Sequence, residues 1–77
     1  MGGRMKVYVS IQSRSGESDY SIFGVYSTVD KAIAAAKRWL VSVLGSGMRP
    51  MEINQYNDGA NVYQDGFNFD IEEREVE

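Results

Sequence analysis

The stretch STVDKAIAAAKRWLVSVLG, residues 27–45, decides the fold. At 100° per residue, Val29, Ala32, Ile33, Ala36, Trp39, Leu40, Val43 and Leu44 fall within one apolar stripe. Lys31 and Arg38 lie on the opposite side, with Lys37 at the border. Ser27 or Thr28 caps this helix in a variant capping box closed by Asp30, whose carboxylate also meets the positive end of the helix dipole. The alanines raise helix propensity and let the helix approach its support closely. Gly45-Ser46-Gly47 ends the helix, and Pro50 bars its continuation. One striped helix in 77 residues leaves the remaining apolar surface to be buried by strands.

Working outward, both flanks read as strands. From Lys6 to Gln12 the residues alternate, with Val7, Val9 and Ile11 on one face and Lys6, Tyr8, Ser10 and Gln12 on the other. Ser13–Asp19 breaks the pattern as a hairpin loop. Tyr20–Tyr26 resumes it, with Ile22, Gly24 and Tyr26 against Ser21, Phe23 and Val25. Two partly apolar faces predict a central position for this strand. Beyond the helix, Met51–Tyr56, a turn at Asn57-Asp58-Gly59, and Ala60–Gln64 read as a second hairpin. Asp65-Gly66 is another tight turn, and the next segment places Phe67, Phe69 and Ile71 on one face. The acidic end, Glu73–Glu77, is expected to fray, and Met1–Arg4 to be a short extension or tag remnant before a start at Met5. The expected fold is α+β in the order β-β-α-β-β, with or without one more strand. It forms a single domain, one antiparallel sheet with a single helix on one face.

Composition narrows the function. The chain contains neither cysteine nor histidine, which removes disulfides, thiolate chemistry and the commonest general base and metal ligand. No apolar run reaches the roughly 18–20 residues of a membrane span. The absence of cysteine fits a reducing cytoplasm, the expected location, and Met1–Met5 lacks the apolar core of a signal peptide. Asn54–Asp65 has Asp58-Gly59 and a final acid at calcium-loop positions, but Asn54 and Tyr56 supply too few carboxylates. The expectation is a non-enzymatic binding protein with no cofactor and no metal.

Charge supplies the candidate sites. Residues 1–50 carry seven bases against three acids, and residues 51–77 carry one base, Arg74, against eight acids. The first candidate is the acidic strand, Asp70, Glu72, Glu73 and Glu75, whose carboxylates could imitate a phosphate row on another protein. Its plain alternative is a solvated edge strand that deters aggregation. The second is the loop Arg14, Ser15, Gly16, Glu17, Asp19 and Tyr20, able to hold a small anion or a partner's backbone. Its plain alternative is a hairpin loop satisfying its own amides. Nucleic acid is disfavoured: Tyr8, Phe23 and Tyr63 could offer stacking on an uncovered sheet face, but the acidic strand would repel phosphate. The same uncovered face, with its aromatics, is an expected site of self-association.

Residues 15–28, Ser-Gly-Glu-Ser-Asp-Tyr-Ser-Ile-Phe-Gly-Val-Tyr-Ser-Thr, followed by Asp30-Lys31-Ala32, carry a family likeness. The chain resembles a family of small bacteriophage and prophage proteins that open with a Met-Lys-Val strand. Those proteins continue through a Ser-Gly-Glu and Asp-Tyr loop into a Lys-Ala-rich helix. The likeness spans Met5 to about Leu40 and returns at Ile71-Glu72-Glu73. The loop here is one residue shorter than usual, and the stretch from Gly45 to Phe67 has no counterpart. The resemblance implies phage or prophage origin, a ββαβ-type fold and no assigned enzyme activity. By analogy with other phage proteins of this size, it also implies an inhibitor of a host protein, such as a CRISPR or other anti-phage defence component. A small-molecule or nucleotide-binding module acting as an oligomer is the alternative.

Overall fold

The computed structural model describes residues 5–76. The elements are β1 (Met5–Arg14), β2 (Tyr20–Tyr26), α1 (Val29–Leu44), β3 (Glu52–Tyr56), β4 (Gly59–Gln64) and β5 (Phe67–Val76). All five strands join one antiparallel sheet in the order β2-β1-β5-β4-β3. Helix α1 lies across one face, so the fold is the expected α+β arrangement with the additional strand present.

The helix follows its sequence closely. Thr28 is the N-cap, its Oγ1 accepting from the Lys31 backbone N–H at 3.1 Å, and Gly45 closes the other end with φ at 65°. Ala32, Ala36 and Leu40 are fully buried, joined by Ile33 and by Ala35, which the stripe had left out. Val43 lies within the stripe by angle yet is exposed, whereas Leu44 beside it is half-buried against the core.

Opposite the helix stand Phe69, Ile71, Val62, Ala60 and Ser10, all buried. Phe69 packs edge-on against Phe23 at 5.0 Å and Trp39 at 5.7 Å, and Trp39 against Phe67 at 5.1 Å. Such pairs add about 0.5–1.5 kcal/mol beyond area burial.

Three expectations are corrected. First, β2 is an edge strand rather than a central one. Its two partly apolar faces arise from a bulge: Ser10 pairs with Gly24 but Ile11 with Ile22, leaving Phe23 as the extra residue. Phe23 turns into the core, while Ile22 and Val25 point away from the helix.

Second, β5 is the middle strand, paired with β1 on one side and β4 on the other, rather than a solvated edge. Third, the segment expected to fray is strand as far as Val76. Met5–Tyr8 of β1 pairs with it, and Lys6 Nζ meets Glu73 Oε1 at 3.2 Å. Met1–Arg4 and Glu77 lie outside the described residues.

The loop after the helix is fastened by the β4–β5 turn. Asp65 and Gly66 both have positive φ, 49° and 91°, as a two-residue hairpin of the mirror-image type requires. This geometry aims the Asp65 carboxylate at the backbone N–H groups of Met48 (2.6 Å) and Arg49 (3.1 Å). Buried Gln64 donates to the Arg49 carbonyl at 2.8 Å. With the bond from Gln64 Nε2 to the Ser46 carbonyl at 3.4 Å, four hydrogen bonds tie residues 46–49 to the sheet.

Candidate functional site

Cross-strand partners share a face, so the register assigns every row. Facing away from the helix are Met5, Val7, Val9 and Ile11 of β1, then Tyr20, Ile22 and Val25 of β2. Beside them on β5 runs the row Asn68, Asp70, Glu72 and Arg74, and on β4 Asn61 and Tyr63. The first two rows form an apolar strip. Tyr20 is 72% exposed, Ile22 68%, Met5 64% and Val25 57%, while Val7, Val9 and Ile11 are half-buried.

Next to the strip the β5 row is polar and ordered by its neighbours. Asn61 Nδ2 donates to Asn68 Oδ1 and to Asp70 Oδ1, both at 2.8 Å, and Asn68 Nδ2 donates to Asp70 Oδ2 at 3.0 Å. Arg74 pairs with Glu72 at 2.6 Å.

The acidic strand of the sequence reading is thereby divided. A strand turns successive side chains to opposite faces, so Asp70 and Glu72 stand on the open face while Glu73 and Glu75 stand on the helix side. Glu73 is engaged there by Lys6 and by the Tyr8 hydroxyl, which donates to Oε1 at 3.4 Å. The Glu73 hydrogen bond, followed by its charge, raises the Lys6 pKa above the ordinary 10.5.

In the loop, Arg14 lies over the Phe67 ring, 4.9 Å from its centroid, and 3.9 Å from Glu17 Oε1. The Ser15 N–H donates to the Gly66 carbonyl at 2.8 Å and the Glu17 N–H to the Arg14 carbonyl at 3.1 Å. Gly16 adopts φ 84°. The guanidinium, which stays exposed, thus lies over a ring and beside a carboxylate.

What the structure does bring together is the loop and the acidic row. Glu17, Ser18, Asp19 and Tyr20 share a shallow concavity of about 400 Å³ with Ile11, Ser13, Asp70, Glu72 and Arg74. Part of each candidate site, Glu17, Asp19 and Tyr20 of the loop and Asp70 and Glu72 of the strand, lines one hollow at the end of the open face, while Arg14, Ser15, Gly16, Glu73 and Glu75 stand outside it.

The aromatics are redistributed as well. Tyr8 and Phe23 face the helix, so neither offers a stacking surface, and Tyr20, Tyr56 and Tyr63 are the tyrosines on the open side. Asn54–Asp65 forms the β3–β4 hairpin. Among the described residues no group of three acidic side chains is placed to hold a metal ion. Among them, too, no helix is long and apolar enough to cross a membrane.

The exposed strip was missed in the sequence because its β2 half depends on the bulge. The signal available was that Ile22 and Val25 are three apart, a spacing that reaches one face of a strand only across an extra residue.

These features define a two-layer α+β domain with a helix over one sheet face and the other face bare. Residues 5–77 match the family described as a domain of unknown function (DUF7336), and the chain belongs to that family. The match is wider than the stretches that carry the resemblance given above, Met5 to about Leu40 and Ile71–Glu73. No curated protein and no solved structure matches the chain.

Proposed function

We propose that this domain is a non-enzymatic protein-binding module whose working surface is the uncovered face of its sheet. The observation that carries the reading is the apolar strip of Ile22, Val25 and Tyr20 beside Val7, Val9 and Ile11, presented to solvent opposite the helix. Contiguous apolar surface of this kind, rimmed by polar residues, marks interaction sites on small soluble domains. The hollows on the surface are shallow and open, suited to a protein's side chains rather than to the enclosure that chemistry needs.

The resemblance to phage and prophage proteins makes a bacterial host protein the natural partner. Its inhibition, for instance of an anti-phage defence component in the cytoplasm of an infected or lysogenic cell, is the natural consequence. The nucleotide-binding alternative draws support from the hollow of about 400 Å³, which is within the size range of small-molecule sites. Its carboxylates, Glu17, Asp19, Asp70 and Glu72, would however repel phosphate.

The test is a photo-crosslinking residue placed at Val25 or, separately, at Lys37 on the outer side of the helix, in extract of a host bacterium. A discrete adduct from position 25 and none from position 37 supports the reading. An adduct from position 37 alone rejects it.

A further inference from the structure

Resting on the open face as the binding surface, a further step concerns what covers it. The face is crossed in the order β2, β1, β5, β4, β3, with the first two rows apolar and the third polar, Asp70 and Glu72 at its middle. From Met5 to Ile11 the apolar rows run about 20 Å at roughly 3.3 Å per residue, and two strands span about 10 Å. These are the dimensions of one α-helix of about 14 residues, given a rise of about 1.5 Å and a diameter of about 10 Å. The 16-residue α1 covers the other face in the same manner.

The apolar rows alone present roughly 200 Å² in plane by the same spacings, well under the roughly 800 Å² that a stable partner covers. An occupant therefore has to reach over the β5 row as well. For a second copy packed sheet on sheet about a two-fold axis, full overlap centres on β5, the middle strand. Asp70 and Glu72 would then meet their own copies, and like charges so placed are repulsive. For a helix lying along β1 and β2, the same row is an attractive flank, provided the helix is basic on that side.

We infer that the open face takes an amphipathic α-helix of a partner protein, with its apolar ridge on the β1 and β2 rows and a Lys or Arg flank against Asp70 and Glu72. Glu17 and Asp19 wall the hollow where the acidic row meets the loop, and they receive the last cation of that flank. Arg74 pairs with Glu72 and Arg14 with Glu17, so Asp19 and Asp70 are the two carboxylates that keep the hollow net negative.

The probe is a displayed library of 20-residue helical peptides, selected on the wild-type domain and counter-selected on the Ile22→Lys/Val25→Lys variant. The expected winners carry apolar residues at i, i+3, i+4 and i+7 beside a Lys/Arg flank. Asp70→Lys/Glu72→Lys should weaken them at least tenfold, and exchanging the peptide's flank to Glu should restore binding to that variant. The restored binding shows that the variant is folded.

Winners without a basic flank, or affinity indifferent to the charge exchange, overturn the inference. So does a micromolar dimer in sedimentation that Ile22→Lys/Val25→Lys converts to a monomer, since a second copy then owns the face. A crosslinked partner at position 25 that touches through something other than a basic helix sinks this inference alone. Absence of any adduct at position 25 removes the binding surface itself.

Discussion

Ile11 and Ile22 are cross-strand partners on the face of the sheet that has no helix. The register steps by one residue between Ser10 and Ile11, and that step alone decides where the β2 side chains point. In an unbroken ladder Phe23 would oppose Ile11 and stand in solvent, with Ile22 under the helix. The bulge sends Phe23 to Phe69 and Trp39 and releases Ile22 to lie beside Val25. The core thus gains an aromatic ring by the same step that creates the exposed strip.

The hydroxyl of Ser10 is buried beneath the helix without a hydrogen-bond partner among the described residues. Leaving such a group unsatisfied costs about 1–3 kcal/mol. Ser10→Ala is therefore expected to hold stability or raise it by about 1 kcal/mol in urea denaturation. A loss of more than about 1 kcal/mol would mean that the hydroxyl has a partner in solution.

Leu40 is fully buried on the helix, and Ile33 nearly so. Truncating either to alanine should cost about 2–4 kcal/mol, most of the stability of so small a domain. Denaturant titration with an unchanged slope is the check. A cost under about 1 kcal/mol at both positions would show that the helix does not own the core.

Asp65 holds the loop after the helix through the Met48 and Arg49 amides. Asp65→Ala should cost about 1–2 kcal/mol and speed amide exchange at Met48 and Arg49, leaving the β1–β5 amides protected. Unchanged exchange at those two amides would contradict the fastening role.

The helix, its cap and its stop were legible because periodicity and end chemistry agree at Thr28, Asp30 and Gly45. The last three strands were legible from Asp58-Gly59 and Asp65-Gly66. Strand order was not, since nothing local distinguishes the central β5 from an edge: its acids at 72–75 look solvated in sequence, yet β1 and β4 flank it. The Asp65 latch joins residues 16 and 17 positions apart, beyond the reach of any spacing rule. The loop and the acidic strand were each visible as charged segments. That they share one hollow is a consequence of β1 lying between β2 and β5.

The proposed function requires that the helix-free face bind and the helix side not. The direct measurement is calorimetric titration of the crosslinked partner against two variants side by side. Ile22→Lys/Val25→Lys changes the strip, and Lys37→Glu/Arg38→Glu changes the outer surface of the helix. All four side chains are exposed, so both variants should keep stability within about 0.5 kcal/mol of the wild type. The strip variant is expected to lose at least tenfold in affinity and the helix variant nothing; the reverse pattern would show that the helix side is the binding surface.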